Sequence, residues 1–311
     1  MWHKAALNVY IHGSSNTPLA PVRLDPGGPV IWCKLEFLNP SGSTKDRIAG
    51  YILAKALRSG QIDPGDMVVE ASSGSTSIAM ALACAQYGLR FAAVMPEGVS
   101  NERSMIIRAY GGEVIFSPKE RGILGAIQWA EELGRERRAF LPHQFSNPDN
   151  PEAHRRETAQ EIMAQIPLGR VDAVVSGVGT GGTLVGLHGG FTDHGCSVRP
   201  FSARPVEGGS LGGAECCSFS NCIPGIIDGL SEIYATAKLP NLVELEIPDE
   251  EAIETARRLI SLGFPVGSSS GLNYAASLHA ASMLEPDSVI VTVFPDRMER
   301  YFSTGLFSHI R

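Results

Sequence analysis

Ala173-Val174-Val175-Ser176-Gly177-Val178-Gly179-Thr180-Gly181-Gly182-Thr183 is the stretch that decides the fold. Ala173 to Ser176 reads as a buried strand, and the glycine-rich loop leads straight into a predicted helix. Backbone N–H groups in such a loop converge on an oxyanion at the helix start, where the helix dipole also favours negative charge. Residues 177, 179 and 182 satisfy G-x-G-x-x-G, a weak pattern by itself. A dinucleotide site also needs an acid about 20 residues on, for the ribose. That region reads Ser197-Val198-Arg199-Pro200, with no acid. The loop is therefore read as a seat for a phosphate monoester rather than a dinucleotide.

Outward from this loop, strand-like and helix-like segments alternate, which predicts an α/β protein with mainly parallel sheets. Toward the N-terminus the predicted strands are Val30–Phe37, Met67–Ala71, Phe91–Met95 and Glu113–Phe116. The predicted helices are the one following Thr44, then Ile78–Tyr87, Asn101–Tyr110 and Gly122–Glu136. Around and beyond the loop come helix Ala153–Gln165, helices Glu250–Leu262 and Leu272–Leu284, and strand Ser288–Phe294. We read two doubly wound α/β lobes with the ligand in the cleft between them, at the strand carboxyl ends. Residues 39–145 form the smaller, mobile lobe; 1–38 plus 146–311 form the larger.

Two further loops carry chemistry. Asn39-Pro40-Ser41-Gly42-Ser43-Thr44-Lys45-Asp46-Arg47 puts a lysine just inside a helix start, in a chain with only six lysines against 20 arginines. Ser43 or Thr44 is the expected cap. A lysine is placed there against the helix dipole. Aimed into a cleft, with its pKa lowered, it is a candidate nucleophile or Schiff-base former; taken alone, it reads as a solvated lysine. Ser72-Ser73-Gly74-Ser75-Thr76-Ser77 lies between a strand and a helix. Its hydroxyls and free N–H groups suit a carboxylate, or serve as an ordinary N-cap cluster.

Composition bounds the rest. The 311 residues hold 26 Lys and Arg against 33 Asp and Glu, a net charge of −7. A mildly acidic chain is a poor binder of nucleic acid or anionic membrane. No apolar run approaches the ~20 residues of a membrane helix. Met1–Tyr10 lacks an apolar signal core, so the N-terminus reads as mature. Six cysteines (33, 84, 196, 216, 217 and 222) are too sparse for a disulfide scaffold and fit a reducing cytoplasm. Cys216, Cys217 and Cys222 cluster locally, but their spacing does not suit a metal. We expect no metal site and read these as free thiols, with a redox or persulfide role as the alternative. His143 and His154 flank Gln144 and read as structural.

A lysine loop, a carboxylate-type loop and a phosphate loop, in that order, resemble the fold type II, tryptophan-synthase-β-like, pyridoxal-phosphate enzymes. The nearest group is the cysteine synthase and cystathionine β-synthase branch. The likeness runs from about Thr17 to Phe307. It is carried by Asn16-Thr17-Pro18-Leu19, Lys34-Leu35-Glu36, Asn39 to Arg47, and Met95-Pro96-Glu97. It continues with Gln144 to Asn150, Gly179 to Thr183, Gly267 to Gly271, and Glu299-Arg300-Tyr301.

The resemblance implies that Lys45 holds pyridoxal 5'-phosphate covalently and then acts as base toward the substrate α-proton. Gly179, Thr180, Gly181, Gly182 and Thr183 would bind the phosphate, Ser75 would contact the cofactor, and Ser269 would meet the pyridine nitrogen. Ser72, Ser73, Gly74, Thr76 and Gln144 would hold the substrate carboxylate. The implied reaction is β-elimination from an activated serine to an aminoacrylate, followed by addition of a nucleophile. The default pair is an O-acetylserine-type donor with sulfide, giving cysteine. Alternatives are another nucleophile (a diaminopropionate- or cystathionine-type product) or net elimination, as in a serine/threonine dehydratase or cysteine desulfhydrase. A catalytically weak regulatory partner and a nicotinamide dehydrogenase stand further off. The partners are a small amino acid and a small nucleophile, and the family implies a homodimer.

Some positions depart from the family pattern. Ser75 stands where Asn is usual. Pro224-Gly225-Ile226-Ile227-Asp228-Gly229 replaces a Gln-Gly-Ile-Gly pattern, with Ile227 narrowing the pocket mouth and Asp228 adding negative charge. Pro224 stands where phosphoserine-using relatives carry an arginine. Arg204 replaces an acid, and Asp296-Arg297-Met298 replaces a Ser-Gly approach to Glu299-Arg300-Tyr301.

Overall fold

Val174 and its two neighbours face opposite ways, as the period of a strand requires. Ala173 and Val175 enter one hydrophobic cluster, with Ile31, Phe201 and Leu272. Val174 enters another, with Leu184, Leu187 and Val291. A strand apolar on both faces must be covered on both faces, the condition for a parallel sheet wrapped by helices. The computed structural model describes residues 16–206, 223–226 and 229–310.

In chain order the elements begin with β1 (Leu19–Val22), β2 (Ile31–Lys34), α1 (Lys45–Arg58), β3 (Met67–Ala71), α2 (Ser75–Tyr87) and β4 (Arg90–Pro96). Next come α3 (Asn101–Ala109), β5 (Glu113–Ser117), α4 (Gly122–Arg137), α5 (Asp149–Ala153), α6 (Ala159–Gln165) and β6 (Ala173–Gly177). The last are α7 (Gly182–Asp193), β7 (Arg199–Val206), α8 (Glu232–Thr236), β8 (Val243–Pro248), α9 (Asp249–Ser261), α10 (Ser268–Ala281) and β9 (Ile290–Val293).

The strands form two sheets, one of six strands ordered β1-β2-β9-β6-β7-β8 and one of three ordered β3-β4-β5. All pairings are parallel except β1 with β2. In the small sheet, Val68, Ala93 and Met95 pack under apolar residues of α1, α2 and α3. Val69, Ala71, Ala92 and Val94 pack on α4. In the large sheet, α9 and α10 cover one face and α6 and α7 the other. The mixed α/β fold with parallel sheets expected from the alternation is therefore present.

Local differences have physical causes. The predicted strand at Val30–Phe37 is shorter, and Glu36–Leu38 turns into a 3-10 helix. The helix placed at Leu272 begins at Ser268, so Ser269 lies in its first turn. Small residues are needed there because α9 comes close: a Cβ on Gly271 would strike the Ala252 carbonyl oxygen. The helix placed at Ala153–Gln165 begins at Asp149 and carries a π-helical turn at His154–Thr158. Arg204 pairs with Glu244 at 3.2 Å and with Glu246, both on the neighbouring β8. An arginine is accommodated there because the adjacent strand supplies the acids.

Candidate active site

The loops after β3, β6 and β9 open onto one cavity, together with the loop that leads into α1. This is the crevice at the carboxyl ends of parallel strands. Lys45 opens α1 and lines the cavity, half-buried. Its backbone N–H donates to Ser43 Oγ at 3.3 Å. Ser43 thus caps the helix start, and the Thr44 side chain does not. Burial pushes the Lys45 amine below the usual lysine range, and the charge of Asp296 pulls part of the way back.

Ser72, Ser73, Gly74, Ser75 and Thr76 all line the cavity. The Ser72 hydroxyl lies 2.8 Å from Ser77 Oγ and accepts the N–H groups of Gly74 and Ser77 at 3.0 and 3.1 Å. It shapes the loop. Gly74 caps α2 at φ 151° and ψ −64°, a conformation that only glycine adopts readily. A Cβ there would also collide with the Arg103 side chain. Thr76 Oγ1 donates to Gln144 Oε1 at 2.6 Å, and Gln144 Nε2 donates to the Ala71 carbonyl at 2.7 Å. Gln144 is therefore bound to the loop on both sides of its amide. Its backbone N–H donates to the buried Glu70 carboxyl at 3.2 Å.

Gly179, Thr180 and Thr183 line the cavity, while Gly181 and Gly182 stand behind them as the cap and first residue of α7. The cap residue Gly181 has no side chain to offer, and Thr180 Oγ1 accepts the Gly182 N–H at 3.4 Å. A Cβ on Gly179 would meet the Gly225 carbonyl oxygen, and one on Gly182 the Asn150 amide. Bare backbone packed this tightly at a helix start is a cradle for a phosphate group. Asn150 Nδ2 donates to Thr180 Oγ1 at 3.0 Å, and Thr183 Oγ1 lies 3.3 Å from His154 Nε2. Burial lowers His154 to about 3, so it is neutral at Thr183.

Ser269, in the first turn of α10, also lines the cavity. Asn273, one helical turn on, accepts the Gly177 N–H at 2.7 Å and donates to the Val293 carbonyl at 2.9 Å. It ties α10 to β6 and β9. A lysine with a lowered pKa, a close-packed glycine cradle at a helix start and the Ser269 hydroxyl around one cavity fit pyridoxal phosphate in charge and in donor set.

The lining side chains given no role in the sequence reading include Arg103, Asp296 and Tyr301. Arg103 is 5% exposed, donates to the Ser73 carbonyl at 2.8 Å and lies 5.4 Å over the Tyr301 ring. Tyr301 OH donates to Asp296 Oδ2 at 2.8 Å. Glu299-Arg300-Tyr301 was legible as a motif, whereas nothing local in the sequence marked Arg103. Pro224, Gly225 and Ile226 line the cavity. Ile227, Asp228 and the Cys216, Cys217 and Cys222 cluster lie outside the described residues. Among the described residues, no helix is long and apolar enough to cross a membrane.

A family model described as "Pyridoxal-phosphate dependent enzyme" matches residues 12–296. The cysteine synthase of Staphylococcus aureus (strain N315) is 36% identical over 301 residues, covering 94% of both chains. Two solved structures are similar throughout. O-ureido-L-serine synthase matches with a TM-score of 0.82 and 33% identity, over 95% of this chain and 93% of that one. The O-acetylserine dependent cystathionine β-synthase from Helicobacter pylori matches with a TM-score of 0.80 and 33% identity, over 95% and 94%. The chain belongs to the pyridoxal-phosphate-dependent enzyme family. It is an enzyme of the cysteine synthase type with the fold type II architecture, and pyridoxal phosphate is its cofactor.

Proposed function

We propose that this enzyme carries out β-replacement on an activated serine of the O-acetylserine type, with sulfide as nucleophile, and so makes cysteine. The observation that carries the reading is the convergence of Lys45, the 72–76 loop and the glycine-rich start of α7 on one cavity. The family relationship supports it, and the names of the similar proteins point to serine-derived substrates.

Lys45 would carry the covalent link to the cofactor. The N–H groups and hydroxyls of Gly179 to Thr183 would take its phosphate, with Gly181 and Gly182 giving the loop its close backbone. Ser269 would face the pyridine nitrogen and Ser75 the ring's edge. Bound there, pyridoxal phosphate withdraws electrons from the amino acid, so that the α-proton and then the β-substituent can leave.

The chain's residues do the positioning and the proton transfer. The start of α2, with Ser73, Gly74 and Thr76, receives the substrate carboxylate, while Ser72 and Gln144 keep that loop in shape. Lys45 Nζ accepts the α-proton. Burial suits it for this by leaving more of the amine unprotonated near neutral pH than a solvated lysine would have. The lobe spanning 39–145 closes on the carboxylate and excludes water. We place the enzyme in the cytoplasm as a homodimer.

The test is a visible spectrum of the purified protein, followed by O-acetylserine, O-phosphoserine, serine and cysteine in turn, with and without sulfide. Loss of the cofactor band with O-acetylserine, and formation of cysteine when sulfide is added, is the expected result. Pyruvate and ammonia as the only products would replace the reading by net elimination. A β-substituted amino acid formed only with an amine or thiol acceptor would change the nucleophile.

A further inference from the structure

Ser75 and Asp296, both noted above as departures from the family pattern, meet across the cleft. Ser75 lies in the first turn of α2, beyond the small sheet, and Asp296 follows β9 of the large sheet. Ser75 Oγ donates to Asp296 Oδ2 at 3.1 Å, and Tyr301 OH donates to the same oxygen. Asp296 is only 5% exposed. Its other oxygen, Oδ1, is buried without a hydrogen-bond partner among the described residues. It lies against Gly267, where a Cβ would collide with it.

A carboxylate served at one oxygen and bare at the other keeps much of its charge unsatisfied. That charge acts on Lys45 in the same cavity. Ser75 has one hydroxyl proton, and Asp296 takes it; toward a ligand Ser75 can then only accept.

We propose that Asp296 is a positioning residue that supplies the fixed negative charge facing the Lys45 nitrogen, and that Ser75 serves Asp296 rather than the ligand. The inference rests on the reading of Lys45 as the cofactor lysine. The Ser75–Asp296 bond then joins the loop that receives the carboxylate to the charge that acts on Lys45, the group that moves the proton.

Among the described residues, the groups facing Asp296 are few. Lys45 comes from α1, Ser75 from α2 and Tyr301 from the C-terminal turn, with Arg103 behind the Tyr301 ring and Arg300 next to it in sequence. Burial and the neighbouring Asp296 hold the Tyr301 hydroxyl far above its usual range, so it remains a neutral donor. Asp46, next to Lys45, is raised to about 6 by burial against its bonds to Ser41. It would give its own step, common to every variant at the other positions.

The experiment follows the visible band of the bound cofactor across pH in the wild type, Asp296→Asn, Ser75→Ala and the double variant, with melting temperatures alongside. Loss of the charge in Asp296→Asn should move the midpoint down by about one pH unit, because an opposite charge nearby favours the protonated form. Ser75→Ala leaves the charge but removes a donor, and should move the midpoint up by less. That upward shift should vanish in the double variant if the two residues act as one unit. An unmoved midpoint in Asp296→Asn overturns the proposal, as does a Ser75→Ala shift that persists in the double variant.

If Asp296→Asn does not retain the cofactor, the same downward shift is read in the cofactor-free protein. The measurement is the pH dependence of Lys45 acetylation by acetic anhydride, followed by mass spectrometry. A wild type with no visible band after added pyridoxal phosphate would overturn the proposed function itself. A normal wild-type band with no movement in Asp296→Asn overturns this inference alone.

Discussion

Lys34 and Lys45 are both withdrawn from bulk water, yet only Lys45 is free to react. Lys34 has no exposed surface, and its Nζ lies 2.7 Å from Glu161 Oε2 and donates to the Thr17 carbonyl. Arg47 completes the cluster, bridging Glu161 at 2.5 and 2.8 Å and Glu36 at 2.8 and 3.1 Å. Burial opposes ionisation of Glu36, but the charge and hydrogen bonds of Arg47 win and hold it at about 2. Burial also pulls the Lys34 amine down, against the hydrogen bond and charge of Glu161.

Among the described residues Lys45 has no such partner, and the charge of Asp296 alone favours its protonated form. Burial alone therefore does not make a lysine reactive: the partners decide whether the amine is a structural cation or an available base. Lys34, Glu36 and Arg47 belong to motifs that carried the family resemblance, but the structure engages them in support beneath α1.

The comparison is broken most severely at Lys45. Lys45→Ala should abolish the cofactor's covalent link and lower turnover by more than about a thousandfold, with little loss of stability. Borohydride-stable cofactor attachment and kcat measure it, and a variant that still turned over would end the distinction between the two lysines.

Glu161→Gln tests the other side. It removes the counter-charge shared by Lys34 and Arg47, and breaking a buried pair typically costs about 3–5 kcal/mol. The denaturation midpoint should fall accordingly, while kcat/KM of the folded fraction holds. Lost activity at unchanged stability would mean that this cluster takes part in the chemistry.

Glu70 sharpens the comparison as a buried acid behind the carboxylate loop. Burial pushes it up to about 8, against N–H bonds from Gln144 and Ala71, with the charge of Glu131 adding to the rise. Between the ordinary carboxyl range near ~4.3 and about 8, the folded chain keeps a proton that the unfolded chain has released. Its contribution to stability therefore falls as pH rises through that window. Glu70→Gln, which cannot titrate, should lose less melting temperature between pH 5 and pH 8 than the wild type. An identical slope in both proteins would show that Glu70 is ionised throughout.

The elements were legible where one local rule dominated. Apolar runs such as 92–95 and 173–175 admit few readings besides a buried strand. The three loops announced themselves through glycine and hydroxyl residues placed at helix starts. The boundary at Ser268 was missed because a Ser-Ser-Ser-Gly run has weak helix propensity, and only packing on α9 makes it helical. The π turn at His154–Thr158 left no periodic mark of its own.

What the sequence determined by itself was the α/β architecture, the family and the order of the lysine, carboxylate and phosphate loops. The architecture follows from periodicity, the loops from residue types that few other arrangements tolerate, and the family from the resemblance that the ordered motifs carry. Tertiary structure alone decided which charged groups meet. It set Lys34 against Glu161, laid Arg103 over Tyr301 and brought Asp296 to Ser75 across the cleft. Those partners are far apart in the chain, and the electrostatics of a buried group depends on distance in space rather than on separation in sequence.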